Sequence, residues 1–292
     1  MLDSLSVVGG LLDAMKYALV CANMLLFAFG VYVFATQRSR QSATMIAGGK
    51  RERKRAVLVT AHPDDESMFF MPLLHALQEQ DPRVEAHEWE LFLLCLSRGN
   101  FDGLGDIREQ EMLACGQYVG FPKANIHVLE DPRFQDGMQS AWETAHVGAT
   151  VTEFVTKYKI DAVFTFDDYG VSGHPNHISV HHGVRQAILT LHEQCATTET
   201  QPVRGWMLES TNIVRKYIGV LDALLSSTGS SEKVFVFTFR PWWNYHAMAL
   251  HHSQFVWYRR LFVIFSRYTF INTFTPIVPM PAPVDMPTKK SQ

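Results

Sequence analysis

The run His62-Pro63-Asp64-Asp65-Glu66 sets an imidazole beside three carboxylates. Carboxylates crowded in this way repel one another unless a cation or protons neutralise them. A second run, Asp167-Asp168-Tyr169-Gly170-Val171-Ser172-Gly173-His174-Pro175-Asn176-His177, adds two more imidazoles. Their i, i+3 spacing makes them neighbours on a helix by default, so the pair acquires meaning only through the acidic run. Three protein ligands of mixed nitrogen and oxygen type, with a position left for water, make up a catalytic zinc site. His62, Asp65 and one histidine of the second run are such a set, provided the fold aims them at one point.

The elements around the two runs are suited to that task. Ala56 to Thr60 is a small or β-branched run that reads as a buried strand. Pro63 ends it, and Asp64 to Ser67 have carboxylates where the first-turn amides of a helix are unpaired. The apolar spacing from Met68 to Leu77 predicts a helix over residues 66–80. Glu90 to Leu96 reads as a second buried strand. It runs into a glycine-rich loop, Ser97 to Gly105, that lacks phosphate-loop spacing. A helix, a strand near 126–129, a helix over 141–158 and the strand 161–166 follow, and Pro175 then opens a helix to Leu191. Residues 205–210 and 234–239 read as further strands. This alternation predicts an α/β fold, a mostly parallel sheet covered by helices, with both runs at strand ends where ligands bind.

Composition limits the remaining function classes. A formal net charge of −3, with no zinc-finger spacing and no aromatic RNA motif, gives nucleic-acid binding no support. Cys21, Cys95, Cys115 and Cys195 form no CxxC pair and read as free thiols of a reducing compartment. The uncharged stretch Tyr17 to Thr36 is long enough, as a helix, to span a bilayer. It lacks the basic start and cleavage site of a signal peptide. Arg38, Arg40, Lys50, Arg51, Arg53, Lys54 and Arg55 follow it, so the bulk of the chain is expected on the cytoplasmic side. Residues 1–36 are therefore expected to be an anchor, 37–55 a basic juxtamembrane linker, 56–280 a catalytic domain and 281–292 a disordered tail. The aromatic segment 255–278, whose only charges are arginines, reads either as membrane-surface structure or as a core helix.

AHPDDE at Ala61 to Glu66, GVSGHPNH at Gly170 to His177 and HHSQFVWYR at His251 to Arg259 together resemble the three motifs of the PIG-L/LmbE zinc-dependent de-N-acetylases. The likeness is to the eukaryotic branch acting on N-acetylglucosaminyl-phosphatidylinositol. SRGNFDGLGDIREQE, Ser97 to Glu111, is similar to another block of that family, and the resemblance covers roughly residues 56–265. It implies a Rossmann-like, LmbE-like sheet, preceded here by one transmembrane helix, and Zn2+ held by His62, Asp65 and His177. Asp64 would be the general base and a protonated His174 would face it across the site. The glycolipid would be the substrate, and the endoplasmic reticulum membrane the setting. Asp167 would orient a histidine, and Glu66 would do the same or cap its helix. Arg98, Arg108 and Arg259 are offered for phosphate on charge alone. Asn100 and His251 join this outer set. A soluble conjugate as substrate is the alternative within the same chemistry, and a non-catalytic glycolipid-binding subunit the alternative outside it.

Overall fold

The computed structural model describes residues 14–30, 33, 54–78, 89–195, 202–226 and 233–277. Helix α1 covers residues 14–30 and most of its side chains are exposed. Among the described residues no helix is long and apolar enough to cross a membrane. The expected span 17–36 lies only partly within them, and most of the linker and all of the tail lie outside.

The α/β reading holds. Strand β1 (Lys54–Thr60) leads to helices α2 (Asp65–Phe69) and α3 (Met71–Gln78), then β2 (Trp89–Cys95), α4 (Gly105–Tyr118), β3 (Ile126–Val128), α5 (Thr144–Tyr158) and β4 (Ala162–Phe166). The short α6 (Gly170–Gly173), the long α7 (Pro175–Cys195) and β5 (Arg204–Leu208) follow. Beyond them come α8 (Ile213–Tyr217), α9 (Asp222–Ser226), β6 (Val234–Phe237), α10 (Pro241–Ala249), α11 (Trp257–Phe265) and β7 (Ile271–Pro276).

The seven strands form one sheet in the order β3-β2-β1-β4-β5-β7-β6. β1 to β5 are parallel, and β7 runs antiparallel to both of its neighbours. Leu58 sits between Leu93 on β2 and Phe164 on β4, so β1 is buried from both sides, as its unbroken apolar sequence requires. α5 and α7 pack on each other, and α7 also packs on β1, β4 and β5. The chain leaves β1 in one direction to build β2 and β3, and returns on the other side for β4 and β5. The crevice between the carboxyl ends of β1 and β4 is thus a topological switch point, where α/β sheets bind ligands.

Two expectations need correction. The single helix over 66–80 is two helices, broken at Phe70, whose amide turns back to the Glu66 carbonyl. The end of the chain is neither a core helix nor wholly a surface segment, because residues 271–276 form β7 inside the sheet. Asn272 fixes that strand from within: its carboxamide accepts the Leu73 amide and donates to the Phe69 carbonyl. A polar residue that looks unsuited to a core strand is there to satisfy the backbone at the α2–α3 break.

Candidate active site

β1 ends at Thr60, and the next turn folds Asp65 back onto it. Asp65 Oδ2 accepts the amides of Ala61 at 3.0 Å and His62 at 2.8 Å. The second run leaves β4 through backbone that ordinary residues avoid. Gly170 has φ +63°, and a Cβ there would come within 2.6 Å of the His177 Cβ. Val171, at φ +64°, is strained for a β-branched residue. Ser210 Oγ holds its amide and Lys216 Nζ its carbonyl. This turn lets the Gly170 carbonyl reach His177 Nδ1 at 3.0 Å. Phe166 stacks on the His177 ring, with centroids 4.2 Å apart.

The three expected ligands meet. His177 Nε2 lies 3.2 Å from Asp65 Oδ1 and 3.3 Å from His62 Nδ1, and His62 Nδ1 lies 3.9 Å from Asp65 Oδ2. Ligand atoms about 2.0 Å from a tetrahedral zinc stand about 3.3 Å apart. Hydrogen bonding points the same way. His62 Nε2 faces two acceptors, Asn176 Oδ1 at 2.9 Å and Asp136 Oδ1 at 3.0 Å, so it carries the ring proton. Asn176 Oδ1 also accepts the Gly137 amide, which fixes the orientation of that amide group. His177 donates from Nδ1 to Gly170. Bare nitrogen lone pairs of both rings therefore converge with the Asp65 carboxylate on one buried spot. Three acceptors and no donor make a site that suits a cation.

His174 stands at the edge of this spot, half-buried, its ring 4.7 Å from that of His62 and 5.0 Å from that of His177. Donor atoms of the three histidines all lie within 4.8 Å of one another. The Asn176 amide donates to His174 Nδ1, leaving Nε2–H as a donor. Burial and the neighbouring His62 and His177 lower its pKa to about 4. A pKa in that direction favours a neutral ring, which would offer a hydrogen bond from Nε2–H where the sequence reading expects a charge.

The same field acts unequally on the other groups. Burial would raise Asp65, but the charges and hydrogen bonds of His177 and His62 outweigh it and hold the carboxyl well below its ordinary range. Burial would lower His62, yet the hydrogen bond to Asp136 and the charges of Asp65 and Asp136 hold it above its ordinary value.

Asp64 adopts φ 118°, and its carboxylate meets Arg259 Nη1 and, at 3.7 Å, Arg108 Nη2. Arg108 is buried and also donates to the carbonyls of Pro63 and Gly99, each at 2.8 Å. Gly99 has φ +65°, which favours glycine, and a Cβ there would come within 2.5 Å of that guanidinium. Behind Asp64, Glu66 accepts the Asp64 amide and pairs with the fully buried His251.

Several outer expectations change. Asp167 orients no histidine. Its carboxylate takes the amides of Tyr169 and Gly170 in the turn and that of Ser210 after β5. Arg108 and Arg259 face carboxylates, and Arg98 lies among Asp106, Glu109 and Glu130 away from the site. Asn100 accepts the Gly105 amide at the start of α4. Sequence reasoning missed Asp136, Asn176 and the Gly170 carbonyl. Asn176 sits inside the second run, while Asp136 precedes Gly137 in a loop and reads there as a turn residue.

The chain is similar to several known proteins. A family described as PIG-L, GlcNAc-PI de-N-acetylase, matches residues 57–188. A probable N-acetylglucosaminyl-phosphatidylinositol de-N-acetylase of Dictyostelium discoideum is 37% identical over 249 residues, covering 77% of this chain and 94% of that protein. The N-acetylglucosaminyl-phosphatidylinositol de-N-acetylase of Bos taurus is 34% identical over 258 residues, covering 87% and 96%. In fold, the chain is similar to N,N'-diacetylchitobiose deacetylase from Pyrococcus horikoshii, with a TM-score of 0.51 at 15% identity over 76% of this chain and 83% of that one.

Proposed function

The chain belongs to the PIG-L family of GlcNAc-PI de-N-acetylases, and on that premise we propose how its residues carry out the reaction. N-acetylglucosaminyl-phosphatidylinositol and water give glucosaminyl-phosphatidylinositol and acetate, an early step of GPI-anchor biosynthesis. The convergence of His62 Nδ1, Asp65 and His177 Nε2 beside Asp64 supports this chemistry most directly.

His62, Asp65 and His177 are the residues that would hold the metal, and zinc fits their spacing and donor types. When bound, zinc acts as a Lewis acid that makes water acidic near neutral pH and polarises a carbonyl. Asp64 accepts the proton of the attacking water, and Arg259 and Arg108 hold its carboxylate in that orientation. His174 donates from Nε2–H to the acetyl oxygen as negative charge develops there. With His174 neutral at rest, the proton that lets the amine depart is the one Asp64 has taken from water. Asp136 and Asn176 keep His62 in the tautomer that turns a lone pair inward.

A membrane-held substrate accords with an anchor over residues 17–36 and with a cytoplasm-facing catalytic domain at the endoplasmic reticulum. The test is release of free amine from N-acetylglucosaminyl-phosphatidylinositol by the detergent-purified chain, with chelator and then with zinc restored. The expected result is activity lost with chelator and regained with zinc. A folded, metal-loaded protein that releases no amine would overturn the reading.

A further inference from the structure

Helices α8 and α11 each turn one side to the catalytic loops and the other to solvent, and the outward sides are apolar. On α11, Trp257 is 72% exposed, and Leu261, Ile264 and Phe265 lie beside it at helical spacing, all exposed. Tyr258 stands next to them, also exposed. On α8, Ile213 is 73% exposed and Val214 and Tyr217 are exposed with it. The two helices adjoin. The Tyr217 and Phe262 rings meet edge to face at 6.1 Å, and a Cβ on Gly219, just after α8, would lie 3.2 Å from the Phe265 carbonyl. A patch of this kind is larger and more aromatic than scattered surface apolar residues.

The inward sides touch the chemistry. Arg259 of α11 reaches Asp64, and Phe262 packs on Phe69, which in turn packs on the ring of His177. Lys216 of α8 holds the carbonyl of the strained Val171. A cavity of about 540 Å³ opens beside α8, lined among others by Asp167, Asp168, Tyr169 and Lys216, and by none of His62, Asp65 and His177. Neither helix carries a carboxylate. Arg260 is exposed, its guanidinium over the Phe255 ring. Trp and Tyr at the rim, aliphatic residues between them and, on the two helices themselves, only cationic charge fit an anionic phospholipid surface.

We propose that the joint outer face of α8 and α11 docks on the phospholipid bilayer and holds the mouth of the site against the membrane surface where a lipid-linked substrate lies. This contact is separate from the N-terminal anchor, and only its turnover arm rests on the deacetylase reading.

The test uses the full chain reconstituted into vesicles of phosphatidylcholine and phosphatidylinositol, some with brominated acyl chains. Because the anchor alone can retain the protein, the readout is how close Trp257 lies to the acyl chains, not binding. Bromolipid should quench an emission component that is present in the parent and absent from Trp257→Phe. The doubly substituted Leu261→Glu, Ile264→Glu, altered only at exposed positions and checked for an unchanged melt, should lose that quenching. Its turnover of N-acetylglucosaminyl-phosphatidylinositol in vesicles should fall about tenfold, with turnover of a short-chain, water-soluble analogue within about twofold of the parent. An unquenched Trp257 in the parent would overturn the docking. So would a face buried in a self-associated parent that the double variant renders monomeric. If the parent turns over neither substrate, the deacetylase reading fails, while quenching still decides the docking.

Discussion

Arg259 Nη1 donates a hydrogen bond to Asp64 Oδ2 across 195 residues of sequence. The proposed base is therefore aimed from the far end of the chain. Arg259→Lys keeps the charge but not the planar fork, so kcat should fall about tenfold or more with little change in KM. Steady-state kinetics on the glycolipid measures this split, and an unchanged kcat would remove Arg259 from the orientation of Asp64.

Asp64→Asn keeps the size and shape of the side chain and removes the proton acceptor. Turnover should drop by about 10² to 10⁴, the range for loss of a general base. Metal content, read by elemental analysis of the purified variant, should stay at the parental level, because the three proposed donors are His62, Asp65 and His177 and the Asp64 carboxylate pairs with Arg259. Parental turnover would mean that another group takes the proton.

Asp136→Ala removes one of the two acceptors of His62 Nε2–H. The ring is then freer to change tautomer or rotate, and metal affinity should weaken about 10- to 100-fold. Competition with a chromophoric chelator gives the number directly. Affinity equal to that of the parent would show that Asn176 alone fixes the ring.

Asp136 also marks where the sequence stops being readable. The parallel half of the fold and the two acidic or histidine-bearing turns are legible because strand, turn and helix each have a distinct residue pattern there. His62, Asp65 and His177 converge because both turns lie at one switch point, a relation that the strand alternation already implies. Asp136 lies in a loop with no periodic pattern, and only the tertiary fold brings it to His62. Arg108 and Arg259 can be picked out by charge, but charge alone cannot tell a phosphate from a carboxylate as their partner. Strand β7 is hidden because Asn272, Thr273 and Thr275 interrupt its apolar pattern, and their roles depend on neighbours distant in sequence.

His251 gives a pH-dependent stability of known sign. Burial alone would lower its pKa, but the Glu66 charge and hydrogen bond hold it above 6.5 in the folded protein. A raised folded pKa means that the pair's stabilisation is complete below the unfolded value and is lost as pH rises through the folded one. The melting midpoint of the metal-free protein should therefore decline from about pH 6.5 upward. His62 contributes with the same sign. His251→Ala should flatten part of this slope and lower stability by about 3–5 kcal/mol, because Glu66 is left buried without its cationic partner. Thermal melts across the pH series test both, and a slope unaltered in the variant would exclude the His251–Glu66 pair as its source.

The antiparallel strand β7 has a consequence for how this protein is made. Its register joins β5 to β6, and Asn272 ties it to the backbone at the α2–α3 break. A ribosome that has released the chain through α7 has already delivered every proposed metal ligand, but the sheet still lacks β5, β6 and β7. Contacts spanning most of the chain form last and slow folding. At that point in synthesis Ser210 and Lys216, which hold the turn before His177, and Arg259, which faces Asp64, are still to come, so the site is completed by segments translated after its ligands.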